Sequence, residues 1–296
     1  MKRLREFAYF EPADLDEAVG ILAEAGAGAR PLAGGTDLVV DMKMGRMRPP
    51  TVVNLKHIPG LEGVRRDDGG TRIGALTKVR TIAVSSLIQE QHRALADAAG
   101  VLAPPPVRAL ATIGGNLGRA SPASDLAPPL IVHKAIAAIE SGDGSRDEPV
   151  EDLFVGPGAT TLSSHDIITS VFVPDSAPGF GSAHLKIGTR GSGTDIAIVG
   201  VSAGAALDDA GLITSARVVL ASVAPTPMRA FEAEQLLNGM APSDDVLAAA
   251  GEAAAGECRP ISDLRASASH RLALARVLTF RVLRAALTAA HGGETG

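Results

Sequence analysis

One short stretch constrains this chain more than any other. Pro174-Asp175-Ser176-Ala177-Pro178-Gly179 gathers two prolines and a glycine among small polar residues, and such a run interrupts helix and strand alike. On its N-terminal side the hydrophobic pattern alternates short strands with helices. On its C-terminal side strands are suggested at 183–188, 196–207 and 216–223, followed by Ala-rich helical patterns, the longest from His270 to Ala290. Strands in succession, then helices in succession, are the order of a self-contained α+β unit. The 296 residues suffice for two ordinary domains. The boundary is placed at 176/177, the second unit runs to 292, and residues 293–296 are predicted to fray.

The first part is read element by element. Asp14 with Glu17 three residues on resembles a capping box, and Leu15, Ala18, Val19 and Leu22 fall on one helical face behind it. A short helix is expected over 38–44 and a strand over 51–55. Asp67-Asp68-Gly69-Gly70 is turn chemistry between Val64 and Ile73, which predicts a hairpin. Helices are expected at 79–88 and 93–101, a second hairpin from Ala135 onward, and a strand over 167–173.

Composition excludes several chemistries. The chain has 28 Lys+Arg against 33 Asp+Glu, a net charge of −5, with no basic block to follow a phosphate backbone, which argues against nucleic acid as a partner. The single cysteine, Cys258, cannot close an intrachain disulfide or supply a thiolate cluster or a Cys-rich zinc site, and reads as a buried structural thiol. The 7 histidines show no metal-site spacing and read as surface or hydrogen-bonded residues, so no metal site is expected. The longest apolar run, from Ile196, is broken by glycine and serine and is too short to span a bilayer. The N-terminus has no apolar segment of signal-peptide length, so a cytoplasmic protein is expected. No P-loop and no G-x-S-x-G elbow is present, and Gly191-Ser192-Gly193 lacks the third glycine of a dinucleotide fingerprint.

Two segments carry chemistry. Leu32-Ala33-Gly34-Gly35-Thr36-Asp37-Leu38-Val39 and Thr112-Ile113-Gly114-Gly115-Asn116 each place two glycines after an extended apolar lead-in and before a small polar residue. Glycine lets the backbone approach a ligand closely, and successive amides then form an anion-binding concavity. Two such nests would grip a pyrophosphate without an arginine clamp. Taken singly, each pair could equally mark a turn.

These segments, followed by Ala120-Ser121-Pro122-Ala123-Ser124-Asp125-Leu126, resemble the FAD-binding medium subunit of molybdenum hydroxylases, the family of xanthine dehydrogenase and carbon monoxide dehydrogenase. The resemblance continues in order through His165 to Val171, through Lys186-Ile187-Gly188-Thr189-Arg190 with Asp195-Ile196-Ala197, and through Val223 to Ala230. It implies an α+β fold: a vanillyl-alcohol oxidase / p-cresol methylhydroxylase-type flavin domain of two α+β subdomains, about 1–56 and 57–176. A C-terminal domain of antiparallel sheet and helix bundle would follow. It further implies FAD on Leu32 to Val39 and Thr112 to Asn116, a contact from Asp125, and Ile168 and Lys186 near the flavin ring. Leu102 aligns where xanthine dehydrogenase carries a flavin-shielding aromatic. No catalytic side chain on this chain is implied.

Without the resemblance, Asp125 reads as a helix N-cap and Lys186 as a strand-surface lysine. Arg190 and Asp195 read as an ion pair or as partner contacts. The implied partners are a large molybdenum-cofactor subunit and a small subunit with two-iron clusters, with NAD, oxygen or a quinone as the acceptor. Two other readings stay open: a self-sufficient flavin oxidase or dehydrogenase of the same fold, and a non-catalytic scaffold subunit.

Overall fold

The computed structural model describes residues 4–189 and 195–292. Arg190, Gly191-Ser192-Gly193 and the 293–296 tail lie outside the described residues. Three main sheets organise the chain, as the α+β expectation requires.

The first is parallel and three-stranded, with Thr51–Asn54 at its centre between Ala8–Phe10 and Ala29–Leu32. The helix Leu15–Ala25 crosses between the two outer strands. Asp14 accepts the Glu17 amide at 2.9 Å, and Ala18, Val19 and Leu22 are buried beneath it. Strand Ala29–Leu32 then turns through the first glycine pair into the helix Leu38–Met44. That turn lies at the carboxyl end of a parallel strand, where open α/β sheets hold their ligands.

The second sheet has five strands, all antiparallel, in the order Val64–Asp67, Gly70–Gly74, Ile167–Pro174, Ile136–Ser141, Gly144–Pro149. Both predicted hairpins are present and Ile167–Pro174 zips them together. The single helix expected over 79–88 is instead two, Val79–Val84 and Ser86–Gln91. Ser85 leaves the helical conformation to cap the second one, a competition that serine side chains offer the backbone.

The third sheet runs Phe180–Gly188, Ala197–Leu207, Ile213–Ala221, Met228–Arg229, all antiparallel. Helices Phe231–Leu237, Asp244–Glu257 and Ala268–Ala290 follow. Strand Ala197–Leu207 is buried along nearly its whole length, so it reads as a continuous apolar run rather than an alternating one. Helix Ala268–Ala290 comes so close to the sheet that a Cβ on Gly181 would lie 2.1 Å from the Ala286 carbonyl oxygen. Cys258 is buried, its thiol donating to the Ala254 carbonyl, and burial pushes its pKa up to about 12.

The parts built on the second and third sheets, here the second and third units, meet through polar groups as well as apolar ones. His92 bonds Thr71 at 3.0 Å and stands edge-on to His133, with ring centroids 5.0 Å apart; His133 bonds Ser182 of the third sheet at 3.1 Å. A third histidine, His184, bonds Ser202. Each of the three leaves its other ring nitrogen buried without a partner among the described residues.

Burial lowers His92 to about 4, and burial with the neighbouring His92 lowers His133 to about 3, so both are neutral in the fold. The unfolded chain binds their protons near the ordinary value of 6.5. Their contribution is therefore complete above 6.5 and is lost as pH falls toward about 4, by about 3 kcal/mol for His92 alone. Thermal melts followed by circular dichroism are expected to fall across that window. His133→Phe should make the slope shallower, and an unchanged slope would exclude these histidines as its source.

Candidate cofactor-binding site

The first glycine segment folds back on itself and against the second. Gly35 takes a left-handed φ of +74°, and a Cβ there would meet the Leu32 and Val39 side chains at 3.1 and 3.2 Å. Gly34 has a more severe constraint, since its Cβ would sit 2.1 Å from the Leu110 carbonyl oxygen. Only glycine permits this approach of two backbones. Ala33 in turn faces Gly115 across the gap, and Arg119 reaches back to Asp37 at 3.6 Å and Asp41 at 3.2 Å. Among the described residues, the amides of Gly34, Gly35, Thr36 and Asp37 have no acceptor within the protein. These four amides stay open, as an anion-binding concavity would require.

The second segment differs from expectation. Thr112 to Asn116 is not an open loop but the start of the helix Ile113–Arg119, with Thr112 as its cap, accepting the Gly115 amide at 3.1 Å. The Ile113 amide bonds Thr77 O, Gly114 bonds Ala75 O at 2.8 Å, and Asn116 bonds Thr112 O. All four amides are committed inside the protein, so this segment supplies no backbone nest. Gly114 is required for packing, because a Cβ there would lie 2.8 Å from the Ala75 Cβ. Of the two matched segments, the first keeps its amides open and the second spends them inside the protein.

Asp125 and Lys186, far apart in sequence, form a buried ion pair. Lys186 Nζ donates to Asp125 Oδ2 at 2.9 Å and to the Val101 carbonyl at 2.8 Å. The lysine side chain is 0% exposed and the aspartate side chain 9%, so the surface-lysine reading is excluded. Burial pushes the Asp125 carboxyl up to about 6, the Lys186 ammonium offsetting part of that rise. Asp125 Oδ1 is buried with no donor among the described residues. Asp125 is not the N-cap: that position is Leu126, and the Ala127 amide is taken by the Ser124 hydroxyl, which donates to Asn116 Oδ1 at 2.6 Å. Leu102 follows Val101 directly and is buried. Ile168 is also buried, beside a bulge where the Thr169 carbonyl accepts the Ala75 amide. Asp195 accepts from Thr189, and its expected partner Arg190 is outside the described residues.

The sequence family described as the FAD binding domain in molybdopterin dehydrogenase matches residues 5–176, and the CO dehydrogenase flavoprotein C-terminal domain matches 183–286. This chain belongs to that family. The carbon monoxide dehydrogenase medium chain of Hydrogenophaga pseudoflava is 32% identical over 95% of this chain and 96% of its own. The xanthine dehydrogenase FAD-binding subunit of Escherichia coli O157:H7 is 32% identical over 96% and 97%. A solved carbon monoxide dehydrogenase from H. pseudoflava superposes with a TM-score of 0.92 at 32% identity, covering 96% of this chain and 98% of that one. The protein is an oxidoreductase flavoprotein subunit with FAD as its cofactor.

The site's chemistry fits that group. Four amides without acceptors suit the oxygens of a pyrophosphate, and a hydrogen bond to a charged group contributes about 1.5–3 kcal/mol. A buried carboxylate oxygen without a donor suits a group that carries O–H or N–H, as a flavin nucleotide does. Arg119 and Asp41 escaped the sequence reading. Their only signal was the spacing of Asp37 and Asp41, which puts both carboxylates on one helical face.

Gly34→Ala is expected to separate the two segments, lower the melting temperature by several degrees and abolish stoichiometric FAD. Flavin absorbance per folded chain checks this, and full FAD content in the variant would contradict the site.

Proposed function

We propose that this flavoprotein is the electron-transfer subunit of a molybdenum hydroxylase complex. A large molybdenum-cofactor subunit would oxidise the substrate, and two-iron clusters on a small subunit would feed this chain. Electrons then leave through FAD to an external acceptor such as NAD, oxygen or a quinone. The observation that carries this reading is the pairing of a nucleotide-suited site with a single cysteine that is buried and protonated. A cluster relay needs thiolates, and this chain has none to offer. In support, relatives are named as medium chains or FAD-binding subunits. Among the described residues no helix is long and apolar enough to cross a membrane.

Residues 1–176 would serve as the flavin-binding unit and 177–292 as the C-terminal unit that closes on it. The amides of Gly34 to Asp37 would hold the pyrophosphate, with Leu32, Ala33, Leu38 and Val39 shaping the turn. Thr112 to Asn116 would form the opposing wall. Leu102, Asp125, Ile168 and Lys186 would surround the ring end. Bound FAD supplies reversible uptake and release of electrons, chemistry that no side chain provides. The chain's own part is binding, orientation and a fixed charge environment, in which Asp125 balances the Lys186 ammonium. No side-chain acid or base is assigned.

Lys186→Met is expected to leave the Asp125 charge unpaired in the interior, costing about 3–5 kcal/mol and raising the carboxyl pKa above about 6. The double variant Lys186→Met/Asp125→Leu should recover much of the stability without recovering FAD, read by melting temperature and flavin content. The wider reading is tested by purifying the chain with its partners and assaying FAD, molybdenum and iron together. FAD missing from both the complex and the isolated chain would overturn it. Substrate turnover by the chain alone would favour a self-sufficient flavoenzyme.

A further inference from the structure

Between helix Arg93–Val101 and the short helix Pro105–Arg108 the chain makes a tight bend at Val101-Leu102-Ala103. Ala103 takes φ +48°, the left-handed region in which a Cβ crowds the backbone. Nothing local favours that conformation, since glycine would be the usual residue there.

Arg108 accounts for it. Its Nη1 donates to the Leu102 carbonyl at 3.2 Å and to the Ala103 carbonyl at 2.5 Å. Lys186, from the third sheet, holds the preceding carbonyl, Val101, at 2.8 Å. Three consecutive carbonyls are therefore oriented by two cations from different elements. The bend is also joined without slack to the second glycine segment. The amides of Val107 and Arg108 bond Pro104 O, Ala111 bonds Val107 O, and Ala111 O accepts from Val79.

We propose that Arg108 is a positioning residue of the flavin site. It locks the left-handed Ala103 and so fixes the wall that carries Leu102 relative to Lys186 and to the Thr112–Asn116 helix start. Among the described residues, the hydrogen bonds of the Arg108 side chain go to backbone carbonyls of the bend, so its effect on the cofactor passes through them. The inference rests on the reading of Leu102 and Lys186 as cofactor neighbours.

The test uses the full chain, titrated with FAD by fluorescence, with the visible flavin absorption band recorded at saturation. Arg108→Gln is expected to weaken FAD binding about tenfold, the loss of a charged hydrogen bond, and to shift the band. Adding Ala103→Gly, for which the left-handed conformation is unstrained, should restore most of the affinity and the original band. If Arg108→Gln does not fold, Arg108→Lys with and without Ala103→Gly makes the same comparison. Unchanged affinity and an unchanged band in the arginine variant overturn the clamp while leaving the cofactor assignment standing. Recovery of melting temperature by Ala103→Gly without recovery of affinity or band also overturns it, because Arg108 would then serve the fold alone. A wild-type chain that takes up no FAD, alone or in its complex, overturns the underlying assignment together with this one.

Discussion

Lys186 reaches from the first strand of the third sheet into the second unit and ends between the Asp125 carboxylate and the Val101 carbonyl. Its side chain is wholly enclosed. An ion pair removed from water gains little net stability, because desolvation offsets most of the attraction. What it does gain is geometry, since a buried ammonium tolerates very few arrangements of its acceptors. This one contact ties the third sheet to the Ser124-Asp125 turn and to one end of the Leu102 bend.

Other polar contacts cross the interface in the same way. Arg217 and Arg229 of the third sheet both bond Glu151, a residue of the turn beyond the second sheet, and Arg217 also bonds the Ile131 carbonyl. Ser222 donates its amide to Pro122 O in the Ser-Pro turn that leads to Asp125. Arg271 holds the Ser222 carbonyl from helix Ala268–Ala290, so that turn is braced from the C-terminal bundle. These directional bonds accompany apolar packing, in which Val219 and Phe180 of the third sheet join the cluster around Leu95, Ile131 and Val132. Lys186 and Asp125 are brought together across the same boundary.

Much of the architecture follows local rules that can be read along the chain. The Asp14 cap, the Leu15–Ala25 face and both hairpins depend on neighbours a few residues apart, and they form where expected. The departures come from competing hydrogen bonds, one of them local and the other between distant segments. The helix pattern over 79–88 breaks because Ser85 finds backbone partners of its own. The second glycine segment loses its nest because Ala75 and Thr77, on a different element, capture the Gly114 and Ile113 amides. Its sequence resembles the first segment closely, yet only the first keeps its amides without partners.

By itself, the sequence determined that two glycine pairs permit close backbone approach, that prolines and glycine interrupt regular structure just after 174, and that one cysteine cannot hold a cluster. Each depends on residue type alone: a missing Cβ, prolines that lack an amide hydrogen, a thiol count. The tertiary structure decided which amides stay without a partner, that Asp125 and Lys186 share one buried charge pair, and that Arg108 donates to the Leu102 and Ala103 carbonyls. Those outcomes depend on which groups from distant segments come within hydrogen-bonding distance. Buried donors and acceptors must be paired, and only the packed chain settles with what.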